Sequence, residues 1–66
     1  MKLLLNGVST EFGESLSISA LLERHKLKPE TVVVEYNLRV PLKQEYDRIV
    51  LQDGDRVEIV KFMGGG

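Results

Sequence analysis

The chain has 66 residues, 42% of them hydrophobic and 29% charged, the balance of one small folded domain and too apolar for a disordered one. It has no cysteine, which excludes disulfide staples, thiolate catalysis and cysteine-ligated zinc together. Nine Lys and Arg against ten Asp and Glu leave a net charge of −1, so no electrostatic footprint for nucleic acid is present. A domain of this size buries only about 60% of the surface of its unfolded chain, and without staples it relies on its hydrophobic core. No apolar run approaches the length of a membrane span. Residues 1–7 carry too short an apolar stretch for a signal peptide, and the expected location is the cytoplasm.

Residues 2–5 and 8–12 read as a hairpin around Asn6-Gly7, the strongest two-residue signal for a type I′ turn. That turn sets Leu5 against Val8 and Leu3 against Thr10. Alternation then puts Leu3, Leu5, Val8, Thr10 and Phe12 on a core face, and Lys2, Leu4, Ser9 and Glu11 on the outer one. After Gly13-Glu14, Ser17 is positioned to cap a helix, with Leu16 and Leu21 as a hydrophobic staple. Ile18, Leu21, Leu22 and His25 form one helical stripe. Arg24, His25 and Lys26 suit the negative end of the helix dipole, and Pro29 stops the helix.

Residues 31–36 are β-branched and strand-like, with Val32, Val34 and Tyr36 on one face and Val33 and Glu35 on the other. Asn37-Leu38 is a turn, Arg39-Val40 a short return strand ended by Pro41, and 43–48 a helical turn or loop. Ile49-Val50-Leu51 is a brief apolar segment, and Asp53-Gly54-Asp55 is a turn. Residues 56–62 form the last strand, with Val57 and Ile59 inward and Val60 and Phe62 outward.

One helix in so short a chain must cover one face of one sheet. The last strand fits beside the first and parallel to it, with the helix in the right-handed connection. The expected class is α+β, a β-grasp (ubiquitin-like) roll with a mixed sheet of four to five strands and one helix packed on one face. Residues 1–63 are expected to form the β-grasp domain, and 64–66 a flexible C-terminal glycine tail.

An active site inside the chain is not expected. His25, the lone histidine, reads as a helix-end residue that caps carbonyls rather than as a base or metal ligand. Glu35 with Glu58, and Asp53 with Asp55, are the imaginable carboxylate pairs, and turn chemistry accounts for Asp53-Gly54-Asp55. Tyr36 and Tyr46 lack companions for a base-stacking platform. No phosphate-binding loop is present, because the glycines do not precede a helix.

The informative feature is Phe62-Met63-Gly64-Gly65-Gly66. A glycine run is often only a flexible linker. Without Cβ atoms, however, Gly64 and Gly65 can thread a slot too narrow for any side chain, and the Gly66 carboxylate is an uncrowded handle for activation. A β-grasp domain ending in Gly-Gly resembles the ubiquitin-like sulfur carriers, and within them the whole chain resembles the ThiS family of thiamine biosynthesis. The resemblance rests on Leu4-Leu5-Asn6-Gly7, Glu35-Tyr36-Asn37 and Val40-Pro41-Leu42-Lys43. It rests most specifically on the run from Ile49 through Gln52-Asp53-Gly54-Asp55 to Ile59, and on the Gly-Gly end.

The resemblance implies a carrier that is not itself an enzyme and binds no cofactor or metal. A ThiF-like, E1-like adenylyltransferase would use ATP and Mg²⁺ to adenylate Gly66. A sulfur donor such as a cysteine desulfurase would convert it to a thiocarboxylate, and a ThiG-like thiazole synthase would take the sulfur. Two alternatives stand beside it: a carrier like the small subunit of molybdopterin synthase, and a non-covalent β-grasp interaction module with inert glycines. Leu4, Val33, Val60, Phe62 and Met63 are expected to form an apolar partner interface beside the tail. Arg39, Arg56 and Lys61 would supply its polar rim, although a solvated charged face accounts for them equally.

Overall fold

Asn6 and Gly7 carry φ of 49° and 80°, both positive as a type I′ turn requires. They join strand β1 (Lys2–Leu5) to β2 (Val8–Glu11). The structure is a computed structural model that describes residues 1–62. The hairpin has the expected register, Leu5 opposite Val8 and Leu3 opposite Thr10. Leu3 and Phe12 are buried, but Val8, expected on the core face, is 64% exposed. β2 is an edge strand that buries none of its four residues, and a helix of seven residues, about 10 Å long, does not reach that corner of the sheet.

Helix α1 (Ile18–Arg24) starts where Ser17 Oγ accepts the Ala20 N–H at 3.0 Å. Ile18, Leu21 and Leu22 are buried along its inner stripe, and Leu16 joins Leu21 in the same core cluster. The helix ends in a Schellman arrangement. Lys26 donates to Glu23 O and Leu27 to Leu22 O, both at 2.9 Å, while Lys26 sits in the left-handed region at φ 58°.

A 3-10 turn at Pro29–Thr31 leads into β3 (Val32–Tyr36), where Val32 and Val34 are buried. Asn37 and Leu38 both have positive φ, 48° and 71°, and fold the chain back so that Tyr36 and Arg39 exchange backbone hydrogen bonds of 2.7 and 3.0 Å. The return strand expected at residues 39 and 40 is reduced to this one rung. Pro41 brings no N–H to a ladder and is itself buried.

Past a second 3-10 turn at Lys43–Glu45, Tyr46 and Leu51 enter the core. The segment between them ties down the start of the helix: Ile18 N–H donates to Ile49 O at 3.0 Å, and Leu51 N–H to Leu16 O at 2.8 Å.

β4 (Arg56–Lys61) lies between β1, parallel to it, and β3, antiparallel to it, giving the order β2-β1-β4-β3. The sheet therefore has four strands, with the helix over one face and the last strand beside the first, as the β-grasp topology requires. The core is Leu3 and Val57, Val32 and Val34, the three helix residues, and Leu51, all at most 1% exposed. No helix among the described residues is long and apolar enough to cross a membrane.

Candidate partner face and the approach to the glycine end

The outward alternation of β4 puts Arg56, Glu58, Val60 and Phe62 on the face away from the helix. Val60 is 60% and Phe62 56% exposed. Val33 stands directly opposite Val60 across the β3–β4 ladder, and Phe62 is held at the end of that ladder by its N–H to Thr31 O at 3.0 Å. Val33, Val60 and Phe62 are thus brought together beside the exit of the chain toward Met63. Leu4 is on the same face but pairs with Arg56, four residues and about 13 Å along β4 from Val60. Met63, Gly64, Gly65 and Gly66 lie outside the described residues, and with them the domain boundary expected after Met63.

Two apolar residues beside this face were not singled out in the sequence. Exposed Val40 and Leu42 line a groove of about 360 Å³ with Val33 and Phe62, floored by Val32, Pro41 and Tyr46. The signal available was the apolar run around Pro41, which reads in isolation as an interrupted strand.

The charged residues divide by position. Arg39, Arg56 and Lys61 are exposed, and the Arg39 guanidinium lies 5.6 Å from the Tyr36 ring centroid. Glu35 and Glu58 are half-buried and directly opposed on the outer face. Tyr36, beside them on the inner face, has its hydroxyl pKa raised above 10.0, first by burial and then by the Asp55 carboxylate. Asn37 fastens the end of β3 to β4. Its Oδ1 accepts the Arg56 N–H at 2.9 Å and its Nδ2 donates to Asp55 Oδ1 at 3.1 Å.

Asn6 fastens the other flank. Its backbone N–H donates to Val57 O at 2.9 Å, and its Oδ1 accepts the Ile59 N–H at 2.7 Å, extending the parallel ladder by a side chain. Both neighbours thus hold β4 straight as it runs toward the glycines.

His25 caps the helix as expected, with Nδ1 3.0 Å from Leu21 O. Among the described residues no group of three or more His, Cys, Asp or Glu side chains is gathered so as to hold a metal. The arrangement is suited to presenting a surface and a chain end rather than to enclosing a substrate.

A hairpin, a crossing helix and a parallel closing strand beside an exposed apolar face define a ubiquitin-like β-grasp protein. Comparison with known proteins carries this further. The model of the ThiS family matches residues 3–66. The chain belongs to the ThiS family. It is 37% identical over 63 residues to the sulfur carrier protein ThiS of Bacillus subtilis, covering 94% of this chain and 96% of that one. A crystal structure of the thiamine biosynthesis protein ThiS from Geobacter metallireducens superposes with a TM-score of 0.84 at 39% identity, with full coverage of both chains. The chain is also 41% identical, over its whole length, to a thiazole synthase of Paramagnetospirillum magneticum, of which it spans only 20%. A thiazole synthase of Magnetococcus marinus is matched over the same share at 38% identity.

Proposed function

We propose that this chain is a sulfur carrier for thiazole formation, working through the acyl carbon of Gly66 when that residue bears the terminal carboxylate. The observation that carries the reading is that the ThiS match runs to residue 66, through Gly64-Gly65-Gly66. The name of the Bacillus subtilis relative, aligned over nearly its whole length, supports the carrier role. The names of the two thiazole synthases support a thiazole synthase as receiver. In those relatives a segment similar to this entire chain occurs in one polypeptide with the rest of the synthase.

The chemistry follows from what a carboxylate lacks, a good leaving group. A Gly66 oxygen attacks the α-phosphorus of ATP held with Mg²⁺ by an E1-like adenylyltransferase; the new P–O bond forms as pyrophosphate leaves. Hydrosulfide then attacks the acyl carbon, forming the C–S bond as AMP departs and a proton is released. A persulfide from a cysteine desulfurase achieves the same once a thiol reduces its S–S bond. The thiocarboxylate carries the sulfur to the synthase, and the carboxylate is regenerated. Gly64 and Gly65 serve by the absence of side chains.

The test is intact mass spectrometry of the full chain after incubation with an E1-like adenylyltransferase, Mg-ATP and sulfide. The mass is expected to rise by the difference between one sulfur and one oxygen atom, only when ATP is present. The thiolated chain is then expected to donate its sulfur to a thiazole synthase. An unchanged mass, with an activating enzyme that thiolates another ThiS carrier, overturns the reading and leaves an interaction module. Transfer to a molybdopterin precursor alone overturns the thiazole assignment.

A further inference from the structure

The centre of the outer sheet face carries an electrostatic conflict. Phe62 donates to Thr31 O and Asn37 donates to Arg56 O. Antiparallel alternation between these two rungs makes Glu35–Glu58 a hydrogen-bonded rung as well, with Cα atoms about 5.5 Å apart. Like charges directly opposed across a ladder destabilise it, and both side chains are half-buried. Nothing in the fold offsets the conflict with an ion pair: the one ion pair among the described residues joins Arg24 to Glu14. The two carboxylates are bordered toward the chain exit by exposed Val33, Val60 and Phe62. An acidic pair beside an apolar strip is complementary to an apolar protein surface that carries a single cation.

We propose that this face docks on the thiazole synthase inferred above, with an arginine or lysine of that enzyme seated between Glu35 and Glu58 and apolar side chains packed against Val60 and Phe62. The proposal rests on the carrier reading and deepens it by naming the chemistry of the receiving surface. Arginine fits best, because its planar fork can bond two carboxylates at once. The contact relieves on binding a repulsion that the free carrier bears, so the carrier is selective for a partner that brings the cation.

Binding of the full chain to the thiazole synthase of the same organism, measured by calorimetry at low and high salt, tests this. Glu58→Lys is expected to weaken binding by about tenfold or more. The isosteric pair Glu35→Gln with Glu58→Gln is expected to weaken it and to flatten its salt dependence, while the thermal midpoint of the carrier stays level or rises. The Gln pair keeps the test valid if the Lys variant folds poorly. Affinity of the Gln pair within about twofold of the parent, or no binding of the parent chain, overturns the docking surface. Sulfur uptake is read in parallel by mass. A parent chain that takes up sulfur yet binds independently of these glutamates overturns the docking assignment alone. One that takes up no sulfur overturns the carrier reading, and the docking proposal falls with it.

Discussion

The Asn6 amide oxygen accepts the Ile59 N–H at 2.7 Å while the Asn6 backbone sits at φ 49°, so one residue turns the hairpin and lengthens the β1–β4 ladder. The two roles can be separated by substitution. Asn6→Gly keeps the positive φ at no steric cost but leaves the Ile59 N–H without its acceptor, and is expected to lose about 1 kcal/mol in urea unfolding. Asn6→Ala is expected to lose a further ~1 kcal/mol or more, because alanine resists the left-handed region. Equal losses for the two variants would show that the side-chain bond contributes nothing. The turn was legible from Asn6-Gly7 alone. The ladder bond was not, because it joins residues 53 apart in sequence and depends on which strand lies beside the hairpin.

At the scale of elements, local signals were legible where one residue type answers one backbone need. Ser17 meets the orphan N–H of the first helical turn, and Val57 and Ile59 alternate with Val60 as the sheet face demands. Legibility failed where tertiary context overrode local preference. Val8 is apolar and in phase with the core, yet it lies at an uncovered edge. Tyr46 sits in a polar run, yet it is buried at 3% exposure and its carbonyl accepts the Ser19 N–H at 3.2 Å. The helix C-terminus is a case of the same kind. Lys26 occupies the left-handed position that glycine usually fills, held there by two 2.9 Å bonds and by Leu27 packing on the core. A side chain in that region costs about 1–2 kcal/mol. Lys26→Gly is therefore expected to stabilise the domain by about 1 kcal/mol, read as a higher urea midpoint at unchanged slope. A lower midpoint would mean that the lysine stem or its charge at the helix end outweighs the backbone relief.

For the molecule as a whole, fold and chemistry occupy different parts of the chain. Every buried core residue falls within the described residues 1–62, from Leu3 to Val57, whereas the proposed chemistry belongs to Gly66. The architecture was legible because one helix and so few strands admit few arrangements. The composition of the partner face was only partly so: Leu4 proved distant from Val60, and Val40 and Leu42 entered from a segment without regular periodicity. The division predicts opposite phenotypes. Deleting Gly66 is expected to leave the thermal midpoint unchanged and to abolish sulfur uptake by mass. Leu21→Ala removes a side chain that is 0% exposed at the centre of the helix stripe and is expected to cost about 2–5 kcal/mol. A chain of this length has only about 3–10 kcal/mol in total, so much of the Leu21→Ala protein is expected to be unfolded near its lowered midpoint. The molecules that remain folded still present the same glycine end, and at a temperature where folding is restored they are expected to take up sulfur. A Gly66 deletion that unfolded the domain, or a folded Leu21→Ala chain that failed to take up sulfur, would show that the tail and the core are coupled.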